Sequence, residues 1–81
     1  MFQTIIGGQS PSALFKELVS ADPSLTNADL ALAFKKEFLS VSDEAIQSIW
    51  HWRRPGRESG IGDDRMDAIV AHYLKAAGYL Y

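Results

Sequence analysis

The chain of 81 residues contains no cysteine. Disulfides and thiolate-held zinc, the usual supports of a small fold, are therefore excluded, and stability has to come from apolar packing or association. Nor is there an apolar run near the roughly 18–20 residues that cross a bilayer, or a basic segment, apolar segment and cleavage site of a signal peptide at the N-terminus. These gaps predict a soluble, cytoplasmic protein without a membrane-bound part. Charge of one sign is also lacking: eight Lys and Arg stand against ten Asp and Glu, for a net charge of −2. That balance argues against a protein that coats nucleic acid by bulk charge. Proline is scarce, at three residues, and glycine numbers six, so long stretches are free to be helical.

Reactive groups are equally sparse. Without cysteine the available nucleophiles are serines, and none lies in a Gly-x-Ser-x-Gly elbow. His51 and His72 match neither His-Glu-x-x-His nor a zinc-finger spacing. Gly60-Ile61-Gly62-Asp63-Asp64 enters a helix start as a phosphate loop does, but its two aspartates repel an anion and no Gly-Lys-Ser/Thr follows. Asp63, Asp64 and Asp67 lack the alternating oxygens and closing glutamate of a calcium loop. The expectation is no catalytic residue, no metal site and no cofactor.

What is present is helical patterning in one domain, residues 1–81. Hydrophobic residues make up 47% of the chain and charged residues 22%, enough to fold. Ser10 and Pro11 form a helix start, with serine as cap and proline at the first helical position; Leu14, Phe15, Leu18 and Val19 then predict a helix over 11–20. Asp22-Pro23 breaks it. Thr26 or Asn27 caps a second helix over about 27–38, with Leu30, Ala31, Phe34 and Phe38 on one face. Ser42 followed by Asp43 and Glu44 starts a third, which carries Ala45, Ile46, Ile49, Trp50 and Trp52 and ends at Arg53-Arg54-Pro55-Gly56. A Gly- and Pro-containing linker, 55–62, precedes a fourth, whose stripe is Met66, Ile69, Val70, Tyr73, Leu74 and Ala77, with Gly78 as a left-handed stop. The predicted fold is an all-α bundle of about four short helices with apolar terminal arms, Phe2 to Ile6 and Tyr79 to Tyr81, lying together, for instance as a short two-stranded pair. The predicted core is Leu14, Leu18, Leu30, Phe34, Phe38, Ile46, Ile49, Trp50, Met66, Ile69, Val70, Tyr73 and Leu74.

Two features exceed what such a core requires. Residues 1–34 sum to −2, 35–57 to +2 and 58–81 to −2, so a basic island around Trp50-His51-Trp52-Arg53-Arg54-Pro55-Gly56-Arg57 is hidden in the total. The second helix also carries a second apolar stripe, Ala28, Leu32 and Leu39 beside Lys35 and Lys36, which is either enclosed by other helices or left for a partner. The first expectation is a non-enzymatic regulatory protein of inhibitor or adaptor type. It binds a protein partner, or a second copy of itself, through Leu32, Lys35, Lys36, Leu39, Trp52, Arg53 and Arg54.

The alternative is DNA binding. Residues 25–54, through Thr26-Asn27-Ala28-Asp29-Leu30-Ala31 and Val41-Ser42-Asp43-Glu44-Ala45-Ile46-Gln47-Ser48-Ile49-Trp50, resemble a helix-turn-helix pair. The resemblance implies a recognition helix over 43–54, with Gln47, Ser48, His51, Arg54 and Arg57 offered to bases or phosphates. The connection is longer than that motif's tight turn and has no glycine, and Asp43 and Glu44 stand at the end that enters a groove.

Overall fold

The computed structural model describes residues 2–80 and contains five helices: α1 Gln3–Ile6, α2 Pro11–Ala21, α3 Asn27–Glu37, α4 Asp43–Trp50 and α5 Asp63–Ala76. The start signals act as their chemistry requires. Ser10 accepts from the amide of Ala13, with Pro11 at the first helical position of α2. Thr26 and Asp29 cap each other's backbone amides at the start of α3. Beyond α5, Gly78 adopts φ +90°, and the amides of Gly78 and Tyr79 close onto the carbonyls of Lys75 and Leu74 at 3.1 and 2.9 Å. None of the described helices is long and apolar enough to cross a membrane.

α4 and α5 form the centre, with α3 packed on α4, α2 on α5, and α1 on α2. The core runs through Leu14, Phe15, Leu30, Ala31, Phe34, Phe38, Val41, Ala45, Ile49, Met66, Val70 and Leu74. Leu18, Ile46 and Tyr73 pack at its margin, and Ile69 is half-buried. A carboxylate from α5 ties the layers: Asp67 accepts from both the amide and the hydroxyl of Ser12, each at 2.7 Å, at the first turn of α2.

Three expectations are corrected. The first is the strand pairing of the termini: among the described residues there is no strand, and Gln3–Ile6 makes one helical turn. Phe2 is the reason. Its ring is fully buried at 5.4 Å from Phe34 and 5.8 Å from Phe15, so the arm is anchored as a plug in an aromatic cluster. The two ends do lie near each other, since Leu80 lines one groove with Ile5 and Ile6. Tyr79 packs its ring on Phe38 at 4.9 Å, and its hydroxyl accepts from the amide of Ser40. The part of the C-terminal arm at Tyr81 lies outside the described residues.

The second correction is the end of α4, which stops at Trp50 instead of reaching Arg54. Residues distant in sequence stop it. The amide of Arg53 donates to Ile61 and the amide of Ile61 to His51, at 2.8 and 2.9 Å, a single parallel bridge that closes the 53–62 segment into a loop. Gly60 permits the approach: its φ is +126°, and a Cβ there would lie 2.5 Å from the carbonyl oxygen of His51.

The third correction follows from the second and exchanges the two tryptophans. Trp50, expected in the core, is 48% exposed, whereas Trp52 is fully buried. In a continuous helix the two would point about 200° apart. Once the helix ends at Trp50, the chain turns and carries Trp52 inward onto Phe15, 5.7 Å between ring centres. Its indole N–H donates to Asp63 at 2.8 Å.

Candidate interaction surface

With Trp52 enclosed, the large apolar side chains left most exposed among the described residues are Leu39 at 71%, Leu32 at 58%, Trp50 at 48% and Ile6 at 42%. Three of the four belong to α3, α4 and the segment joining them. The start of α3 lies against the end of α4, because the buried side chain of Asn27 donates to the carbonyls of Trp50 at 3.1 Å and Trp52 at 2.8 Å. At the other end Lys35 donates to the carbonyl of Val41 at 2.8 Å, just before α4 begins. The two helices thus run in opposite senses. Trp50 and Ala28 line one cleft, and Leu32 stands one turn beyond Ala28 on the same side of α3.

That cleft has a volume of about 330 Å³ and is bordered by Thr26, Asn27, Ala28, Trp50, Arg54 and Arg57. Both guanidinium groups are anchored on backbone oxygens. Arg54 donates to the carbonyl of Leu25 and the side-chain oxygen of Asn27, and Arg57 donates to the carbonyl of Trp52 at 3.3 Å. Among the described residues neither has a carboxylate within ion-pair distance.

The residues expected at a protein interface are therefore divided. Leu32, Leu39 and Lys36 are exposed, and Lys35 and Arg54 are half-buried and bound to carbonyls. Trp52 is removed from the surface altogether, which corrects its assignment as a contact. Arg53 is exposed but lines a different cleft, with Lys16, Pro55, Gly62, Asp63, Asp64 and Arg65. There Asp63 uses one oxygen for Lys16 and the other for the Trp52 indole; the Lys16 ammonium first, then the indole N–H, holds its carboxyl below the usual carboxylate range. These partners make it a latch of the fold.

Of the residues expected at DNA, Gln47 and His51 are exposed. Ser48 is buried and donates to the carbonyl of Ala45 at 2.6 Å, which corrects its placement on the solvent side of α4. Arg54 and Arg57 have the carbonyl partners already described. The sequence pattern does not reveal three members of the cleft: Trp50, which it assigns to the core, and Thr26 and Asn27, which it assigns to helix capping. The helix-ending Arg53-Arg54-Pro55-Gly56 signal is available, but where α4 stops depends on Ile61, eleven residues beyond Trp50.

Among the described residues no three His, Asp or Glu side chains are grouped as a metal ion would need. No family model matches this sequence, and comparison with curated proteins and with solved structures finds no similar one.

Proposed function

We propose that the chain is a non-enzymatic regulatory protein, of inhibitor or adaptor type, that binds another protein through the exposed side of α3 and α4 and acts in the cytoplasm. The observation that carries the reading is where the exposed apolar bulk falls: Leu32 on α3, Leu39 in the segment after it and Trp50 at the end of α4 are exposed, while Trp52 and all four phenylalanines are buried. A large apolar side chain left in water is unremarkable singly, but Trp50 beside Ala28, Arg54 and Arg57 in one cleft has the composition of a binding surface. The cytoplasmic assignment rests on composition, since with no cysteine the chain forms no disulfide that would call for an oxidising compartment. DNA binding has less support, because Ser48 is buried and donates to the chain's own backbone, and Asp43 and Glu44 stand at the start of the helix that would enter a groove.

Site-specific photo-crosslinking in the native host tests the reading. A photoreactive side chain at Leu32 or Trp50 should give one discrete protein adduct, absent when the group is placed at exposed Glu17, and lost on adding Leu32→Asp to the Trp50 probe. Circular dichroism should show that Leu32→Asp stays folded. Equal adducts at all three positions, or an unfolded Leu32→Asp chain, would sink it.

A further inference from the structure

The Trp50 cleft carries more specific information than exposure alone. Its border holds an exposed indole and two guanidinium groups, and no carboxylate is among its lining residues. Two carboxylates adjoin that border in sequence: Asp29, already committed to the amide of Thr26, and exposed Glu58, which makes no ion pair with Arg57 among the described residues. Arg54 and Arg57 each spend one nitrogen on carbonyl oxygens, which neutralise no charge, and keep the rest of a five-donor fork. Anchoring also lowers the entropy lost when such a side chain meets a ligand. The result is two positioned cations, neither within ion-pair distance of a carboxylate among the described residues, beside a flat apolar surface.

We infer that this cleft binds an acidic segment of a protein partner, with Asp or Glu carboxylates on Arg54 and Arg57 and an adjacent large apolar side chain against Trp50 and Ala28. The inference rests on the protein-binding reading above and adds the chemistry of the partner. A second copy of the chain is the poorer occupant, because a two-fold contact centred on Trp50 sets Arg54 and Arg57 against their own copies. Nucleic acid also offers anions, but a phosphate backbone running along α4 meets Asp43 and Glu44 at its other end, about 10 Å away at 1.5 Å per residue. A short acidic segment avoids them.

The experiment uses four labelled probes with the full chain: a peptide of about 15 residues alternating Glu or Asp with Leu and Phe, its Gln/Asn twin, its Lys twin, and a single-stranded oligonucleotide of matching charge. Anisotropy should show the acidic peptide binding at least about tenfold more tightly than the uncharged twin, with the gap closing as salt is raised. The Lys twin should bind weakest. Arg57→Glu should erase the preference and Trp50→Ala should weaken both peptides, each with an unchanged melting curve, since both side chains are exposed. Equal affinity for the acidic and uncharged peptides overturns the inference, and if Leu32→Asp abolishes both, the protein-binding reading survives it. Tighter binding of the oligonucleotide, or no binding of any peptide up to about 1 mM, where association is worth only about 4 kcal/mol, also overturns it.

Discussion

Trp50 and Trp52 stand one residue apart and belong to different parts of the molecule. Trp52 faces α2 and the start of α5, where its ring meets Phe15, its N–H meets Asp63, and Asp63 in turn holds Lys16. The indole N–H, the Asp63 carboxylate and the Lys16 ammonium are each partnered within the chain. Trp50 faces the opposite way, into a cleft whose two arginines have found carbonyls but no counter-charge. The difference teaches that residue type does not separate an enclosed aromatic from one left at the surface. What separates them is whether the surrounding charge has been balanced internally.

Truncation is the sharpest way to break that contrast. Trp52→Ala empties a fully buried site and strands one oxygen of Asp63, so it should destabilise the fold by about 3–5 kcal/mol, a large part of what a domain of this size has. Trp50→Ala should stay within about 0.5 kcal/mol, as surface changes usually do. Urea unfolding of both variants decides it. Similar losses would mean that Trp50 is also a structural residue and would remove the ground for an interaction surface there.

Asn27 joins the two sides, and a smaller effect is expected from it. Its amide donates to the carbonyls of both Trp50 and Trp52, and its oxygen receives Arg54. Asn27→Ala leaves those carbonyls short of a donor in a buried place and should cost about 1–3 kcal/mol. A loss below about 0.5 kcal/mol in the same assay would show that water replaces the amide and that the two sides are not mechanically joined.

These residues also show where reading the sequence succeeds and where it stops. Ser10-Pro11, Thr26 with Asp29, and Gly78 act within one helical turn, so their effect could be foreseen from neighbours alone. Leu32 and Leu39 were legible as apolar residues in excess of one stripe. The tryptophan exchange was not legible, because α4 is ended by a bridge to Ile61 that no local pattern announces. The plug formed by Phe2 was hidden for the same reason, since its pocket is assembled from α2, α3 and the residue just after α3. Arg54 and Arg57 are legible as a basic group, but their pairing with Trp50 in one cleft depends on the loop that the bridge closes.

The acid limb of stability sharpens the comparison with the smallest effect. Asp63 on the Trp52 side is held below the usual carboxylate range by Lys16 and then by the indole; on the other side, the backbone and hydroxyl of Thr26 lower Asp29, and the hydroxyl of Ser42 lowers Glu44. A folded-state pKa below the unfolded value contributes stability that is present above the unfolded pKa and is lost as pH falls through the folded one. All three should therefore act below about pH 4, near where unperturbed carboxylates titrate. They should not act equally. Asp29 and Glu44 are solvated, so their bonds compete with water, whereas Asp63 also holds a buried tryptophan in place. Asp63→Asn keeps an acceptor for the indole and removes the charge that pairs with Lys16. It should lower the melting temperature by a few degrees at neutral pH and flatten its decline below about pH 4. Asp29→Asn and Glu44→Gln should leave that decline close to that of the unaltered chain. A steeper dependence on Asp29 or Glu44 than on Asp63 would place the acid-sensitive structure on the α3–α4 side, the reverse of what the latch requires.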